Sequence, residues 1–320
     1  MKILAIQNRM GIGDTIIFLP FIKALSEKFN SPISLLVKEN SKADQFLFQT
    51  SYIDKILFLE RDKINNNRHD GLLGSFNLIN DIKKYDFDKI IIFNSSLRFN
   101  MIARFAGIPE VYQYPLFKKT GQHITNAPKN FLKERFNLEV NDDPEIQIND
   151  TLISKSIKKF QINKNEKNII LGTGGSGPTK RIPANIFLDV IEKLSKIKKC
   201  KFFLATGKDN EEQAILNEIL KSKFKNLCFP LDNLSIKDTL PIIKCCDLAI
   251  CNDSSFSHIS AALGIKTITL MADTPLIYGN YSSKMFPIIP DGEETVTHNT
   301  LGKKKINPQK IFNKIVEILN

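Results

Sequence analysis

The chain has 320 residues, 42% hydrophobic and 25% charged, which excludes a disordered or fibrous protein and leaves room for two domains of ordinary size. No run approaches the roughly 20 apolar residues needed to span a bilayer, and the first residues lack a secretory leader pattern, so a cytoplasmic protein is expected. The net charge of +11 is uneven: residues 1–150 carry 20 Lys and Arg against 18 Asp and Glu, residues 151–320 carry 25 against 16. The more basic second half is either a lysine-rich solvated surface or a lobe that attracts an anion, such as a nucleotide diphosphate or an anionic membrane face. The lysines are scattered and no recognition motif stands out, so nucleic acid is not an expected partner. All five cysteines lie in the second half without CxxC spacing. They read as small buried thiols, not as a zinc site or a disulfide framework.

In chain order, residues 2–6 form a first strand, and "TIIFLPFIKALSEKF" carries apolar residues at helical spacing. "ISLLVKE", "KILFLE" and "KIIIFN" are further strands. "SLRFNMIARFAGIP" is a helix stopped by Gly107 and Pro109, and "VYQYP" is a strand or turn. Residues 140–167 turn polar, with a helix near 150–160, and read as the passage between two lobes. The rhythm then restarts. "NIILGTG", "CKFFLATG", "NLCFPL", "DLAICND" and "KTITLMA" are strands, and "PANIFLDVIEKLSKI", "EEQAILNEILKS", "SIKDTLPIIKCC" and "SFSHISAALG" are helices. A last helix at 308–319 has Asn307 as its cap and Pro308 in its first turn. Continuous apolar strands alternating with helices imply α/β lobes with parallel sheets covered on both faces. Two doubly wound lobes, 1–150 and 151–320, facing a central cleft are therefore expected, with ligands beyond the carboxyl ends of strands.

Four stretches after strands carry candidate chemistry. In "GIGD", Gly11 and Gly13 begin a dinucleotide fingerprint, but Ile16 stands at the third glycine position. Asp14 would repel a pyrophosphate. A helix N-terminus favours its ionised form, leaving it as a proton acceptor or a helix cap. In "GTGGSGPTKRIP", Gly174, Gly175 and Ser176 allow close backbone approach to an anion, and Lys180 adds a point charge; the alternative is an ordinary loop with two solvated cations, Lys180 and Arg181. In "CNDSSFSHISAALG", Asp253, Ser254 and Ser255 stand at a helix start suited to a diphosphate, with His258 one turn on. The alternative there is a cap from Asp253 or Ser254 and a packed histidine. In "ATGKDNEE", Glu211 accepts ribose hydroxyls or decorates the helix start. The absence of G-x-S-x-G excludes the usual hydrolase elbow.

Taken together, "MKILAIQNRMGIGDTIIFLPFIKAL", "GTGGSGPTKRIPANIF" and "CDLAICNDSSFSHISAALGIKTITLMADTP" resemble glycosyltransferase family 9, the ADP-heptose:lipopolysaccharide heptosyltransferases. The resemblance runs through most of the chain in order. It implies the GT-B fold, with an acceptor lobe at 1–150 and a nucleotide-sugar donor lobe at 151–320. It also implies an inverting transfer that needs no metal and no cofactor, from a donor that is ADP-linked, to a glycan or lipid-linked acceptor. Peripheral contact with the inner membrane follows from such an acceptor. Carried over by position, Asp14 is the catalytic base, Lys180 the cation for the donor, Asp253, Ser254, Ser255 and His258 the diphosphate site, and Glu211 the ribose ligand. The family's D-T-G is Asp253-Ser254-Ser255 here, and "MADTP" places Asp273 near the expected diphosphate. Alternatives on the same fold are a catalytically inactive nucleotide-sugar-binding protein or a sugar-nucleotide epimerase.

Overall fold

The structure is a computed structural model and describes residues 1–61, 67–116 and 124–319. The chain divides into two compact units, Met1–Gln147 and Ile148–Asn320.

The first unit runs β1 (Ile3–Ile6), α1 (Ile12–Phe29), β2 (Ile33–Lys38), α2 (Ala43–Phe46), β3 (Ile53–Leu59), α3 (Gly71–Lys83), β4 (Lys89–Ile92), α4 (Leu97–Phe105), β5 (Glu110–Gln113) and α5 (Asn126–Phe136). Its five strands pair in parallel in the order β3-β2-β1-β4-β5. Ile3–Ile6 of β1 and Ile90–Ile92 of β4 are apolar and buried throughout, as a parallel sheet covered on both faces requires. Leu4, Ile6, Ile90 and Ile92 pack with Leu78, Ile82, Phe99 and Ile102 from α3 and α4. A separate aromatic cluster joins Phe18 to Phe93 at 5.4 Å between ring centroids, Phe93 to Phe131 at 5.9 Å and Tyr114 to Phe131 at 5.1 Å.

The second unit runs α6 (Asp150–Lys159), β6 (Lys167–Gly172), α7 (Ala184–Ile197), β7 (Cys200–Ala205), α8 (Asn210–Lys221), β8 (Cys228–Pro230), α9 (Ile236–Lys244), β9 (Leu248–Asn252), α10 (Ser255–Ala262), β10 (Thr267–Leu270), α11 (Ile277–Asn280), β11 (Met285–Ile288) and α12 (Pro308–Leu319). Its six strands are also parallel, in the order β11-β10-β9-β6-β7-β8. Ile169, Leu171, Phe202 and Leu204 pack against α7, α8 and α12. The helix expected near 150–160, within the polar passage of 140–167, is α6, which belongs to this unit and packs on α9.

Each sheet has one place where strand order reverses: between β1 and β4 in the first, between β6 and β9 in the second. Crevices that bind ligands in such sheets open beyond the carboxyl ends of the strands at that place. The loops that matter are therefore those after β1 and β4, and those after β6 and β9.

Five elements lie outside the sequence-based expectation: the four-residue helices α2 and α11, and α3, α5 and β11. Helix α3 exposes Leu72, Leu73 and Phe76, so its sequence shows no clear apolar face. Gly74 is there for proximity: a Cβ on it would fall 2.2 Å from the His69 carbonyl carbon. Helix α5 is too polar to show an apolar period. Strand β11 contains Pro287, which an edge strand tolerates because one side has no partner.

Candidate active site

The loop after β6 is held by Glu212, in the first turn of α8, and by Arg181. The Gly175 N–H donates to Glu212 Oε1 at 2.8 Å, and the Gly175 carbonyl accepts from Arg181 Nε at 3.1 Å. Both backbone polar groups of one glycine are thereby fixed. Glu212 is buried and forms a capping box with Asp209, the N-cap of α8. A Cβ on Gly174 would lie 2.6 Å from Glu212 Oε1, and one on Gly207 2.2 Å from Oε2, so these glycines make room for the carboxylate. Arg181 Nη1 also donates to Asp209 and Glu211, each at 2.7 Å.

This corrects one expectation. Arg181 is not a solvated cation: it is only 9% exposed and braces the glycine loop. Glu211, the expected ribose ligand, has its carboxylate engaged by Arg181 and, at 3.4 Å, by Lys303. The carboxylate that turns inward is its neighbour Glu212.

The loop after β9 is tied to the same place. Asn252 Nδ2 donates to the Thr173 carbonyl at 2.8 Å, and Lys180 Nζ donates to Asp253 Oδ2 at 2.7 Å. Asp253 is almost fully buried. Burial opposes its ionisation, but the Lys180 ammonium outweighs that and holds its pKa below the ordinary carboxylate value. Lys180 is therefore paired, not a solvated cation. Ser254 is the N-cap of α10, with extended backbone and no hydroxyl bond to the helix, and Ser255 is the first helical residue. The first N–H groups of α10 open at the reversal point, as an anion site requires. Asp253 is not the cap. His258 is buried, with Nδ1 3.0 Å from the Tyr281 hydroxyl and the two rings stacked at 5.6 Å. Burial pushes its pKa down to about 4 against the pull of Asp253, so it is neutral at pH 7. Ser176 sits exposed on the turn beyond the glycines.

Four buried polar side-chain atoms at the carboxyl edge of this sheet have no hydrogen-bond partner: Thr173 Oγ1, Thr206 Oγ1, Asn252 Oδ1 and Ser254 Oγ. Each follows or ends a strand: β6, β7 and β9. Unpaired buried groups cost free energy, so a cluster of them at one edge marks where a polar ligand completes the structure. Asp273 does not add a loose negative charge there. It is buried and accepts from the Leu301 N–H at 2.8 Å, holding the segment that leads to α12.

In the first unit, Asp14 is the third residue of α1 and half-buried. It is not the cap. That position belongs to Gly11, whose φ of 98° only glycine adopts readily, so α1 begins at Ile12, earlier than expected. Gly13 lies in the first turn. Gln7, just past β1, is buried, and neither its amide nitrogen nor its oxygen has a partner. The sequence reading passed over it, although a polar residue closing an apolar strand was the available signal.

The family model for glycosyltransferase family 9 (heptosyltransferase) matches residues 75–285, two thirds of the chain. The chain belongs to glycosyltransferase family 9. It is a glycosyltransferase, and its two parallel-sheet units have the GT-B fold. Lipooligosaccharide heptosyltransferase 2 of Campylobacter jejuni is 29% identical over 258 residues, covering 76% of this chain and 77% of that protein. The structure of ADP-heptose lps heptosyltransferase II from E. coli matches 100% of this chain and 98% of that one, with a TM-score of 0.73 at 18% identity. A glycosyltransferase family 9 structure from Veillonella parvula matches 99% and 97%, with a TM-score of 0.75 at 15% identity. The matched family span contains the loops after β6 and β9 and stops short of α1, so it includes Lys180, Asp253 and His258 but not Asp14. Among the described residues, no group of three or more His, Cys, Asp and Glu is placed to hold a metal ion.

Proposed function

We propose that this glycosyltransferase moves a heptosyl group from ADP-heptose to a lipid-linked lipopolysaccharide or lipooligosaccharide core, with inversion at the anomeric carbon and no metal ion. The observation that carries this reading is the cluster of unpartnered polar atoms and helix N–H groups at the reversal point of the second sheet, beside Lys180. The names of the similar Campylobacter proteins supply the sugar and the acceptor class.

The residues divide the chemistry between them. The α10 N-terminus and Lys180 take the diphosphate, and the glycine loop braced by Glu212 and Arg181 lets the donor approach the backbone. An acceptor hydroxyl oxygen attacks C1 of the sugar, its proton passes to Asp14, and the bond from C1 to the ADP oxygen breaks. The negative charge that grows on that oxygen is stabilised by Lys180 and the helix N–H groups. Gln7 offers an amide donor and acceptor to the acceptor sugar. Neutral His258, fixed by Tyr281, can exchange a hydrogen bond with the donor without adding charge. The reaction is placed at the cytoplasmic face of the inner membrane, where such an acceptor resides.

A thermal-shift panel of ADP-heptose, ADP, UDP-sugars and GDP-sugars tests this reading. Stabilisation by ADP-heptose above all others supports it, and stabilisation by none of them refutes it. Binding of ADP-heptose without turnover would indicate a non-catalytic binding protein.

A further inference from the structure

The segment between β11 and α12 returns to the carboxyl edge of the second sheet and is pinned there. The Leu301 N–H donates to Asp273 Oδ1 at 2.8 Å, and the Gly302 N–H donates to the Ala272 carbonyl at 2.9 Å. Ala272 and Asp273 lie just past the end of β10. Gly302 fits closely: a Cβ on it would fall 2.2 Å from Pro290 Cγ. Leu301 has a φ of 51°, a left-handed conformation that leucine rarely adopts, and its side chain is 64% exposed. Little side-chain burial offsets that strain. Strained residues persist only where their surroundings hold them, and they gather where a site needs a fixed geometry.

What this strap fixes is Lys303. Its Nζ donates to the Pro178 carbonyl at 2.7 Å and to Glu211 Oε1 at 3.4 Å. Pro178 opens the short turn Pro178–Lys180, which the Lys180 N–H closes by donating to the Gly177 carbonyl at 3.1 Å. The first residue of the turn is thus held by a side chain 125 residues away, and the last reaches Asp253 through its ammonium. Glu211 joins two braces: Oε2 accepts from Arg181 and Oε1 from Lys303. An ammonium bonded to a backbone carbonyl and a carboxylate at once is fixed at two points, which a single exposed ion pair does not achieve.

We propose that Lys303 is a positioning residue for donor binding, clamping the Pro178–Lys180 turn so that the Lys180 ammonium faces the start of α10. The proposal rests on the reading that this edge of the second unit takes a nucleotide diphosphate. Lys303 acts through Lys180 and does not itself touch the diphosphate. A lysine on a loose turn is ordered only when the ligand arrives, and that ordering weakens binding; a turn clamped beforehand avoids the loss. The effect therefore falls on donor affinity and not on the transfer step.

Lys303→Met keeps the length of the side chain and removes its ammonium. Three measurements on the full chain test the proposal: hydrogen exchange of the Lys180 amide without ligand, ADP affinity by calorimetry, and initial rates over a range of ADP-heptose concentration. In the variant the Lys180 amide exchanges about tenfold faster and the ADP Kd rises about tenfold, the usual worth of a hydrogen bond from a charged donor. The donor KM rises with it, while kcat changes by less than about twofold. Amides of β6 and α7 keep their rates, and the thermal melt is unchanged. Lys303→Arg, which keeps a cation able to donate to both partners, restores most of the affinity. Unchanged exchange at Lys180 overturns the proposal, and weaker ADP binding in that case makes Lys303 a direct phosphate contact. Faster exchange with unchanged ADP affinity also overturns it. So does faster exchange throughout the unit with a lower melt, which assigns Lys303 a merely structural role. Wild-type protein that binds no ADP refutes the donor-site reading, and the exchange result then shows separately whether Lys303 holds the turn.

Discussion

The two units present opposite surfaces at equivalent places. Both are parallel sheets with one reversal of strand order, and both open their loops at the carboxyl edge. In the second unit that edge is polar and tied down: Gly175 is held at both backbone groups, Lys180 is paired with Asp253, and Asn252 joins two loops. In the first unit it carries exposed Leu72, Leu73, Phe76 and Leu97. One edge has its polar groups fixed in advance, as the proposed donor site requires. The other exposes apolar side chains instead. The charge difference agrees, since nearly all of the net positive charge lies in the second half.

The sharpest way to separate the units is to remove chemistry from one while leaving binding in the other. Asp14→Asn is expected to lower turnover by about 10²–10⁴-fold, the usual worth of a general base, with ADP-heptose affinity by calorimetry nearly unchanged. Wild-type turnover in that variant rules Asp14 out as the base. Next in size is the buried ion pair. Lys180→Ala leaves Asp253 charged and buried without its cation, at a cost of about 3 kcal/mol in urea unfolding. The double variant with Asp253→Ala recovers most of that stability but not donor affinity. If the single and double variants are equally unstable, the pair does not shape the site.

The pH response gives an effect of comparable size. His258 has a pKa of about 4 in the fold against 6.5 as a free side chain, so the unfolded chain binds the extra proton first. Its contribution is fully present above pH 6.5 and is lost as pH falls toward 4, about 3 kcal/mol in all. Asp253, held low, loses its own contribution only below about pH 4, on the acid side of that window. His258→Gln flattens the slope of stability between pH 6.5 and 4; an unchanged slope assigns it elsewhere. The smallest effect expected is from Glu212→Leu, which strips the Gly175 N–H of its acceptor. It should cost about 1–3 kcal/mol in urea unfolding and weaken ADP binding by calorimetry.

Much of the fold is legible in the sequence because its strands are unbroken apolar runs and most of its helices have clear periods. What is not legible follows from physical causes. Helix α3 hides because it exposes three of its large apolar residues, so the pattern that marks a buried helix face is blurred. The motifs after β1, β6 and β9 fall in loops at the carboxyl edges of the sheets, but they do not say which side chain turns inward. Glu211 and Glu212 are adjacent, and composition cannot choose between them. The Asp209-x-x-Glu212 spacing of a capping box is the signal that could have done so. Arg181 likewise reads as a surface cation until the fold brings Gly175, Asp209 and Glu211 around it. Asp273 reads as a charge near the donor, but the fold spends it on Leu301, nearly thirty residues on.

Amide hydrogen exchange of the intact chain with and without ADP tests most directly whether the second unit alone holds the donor nucleotide. Slowed exchange at residues 173–181 and 253–258, with residues 8–14 and 70–76 unchanged, is the predicted result. Protection confined to the first unit, or none at saturating ADP, contradicts it.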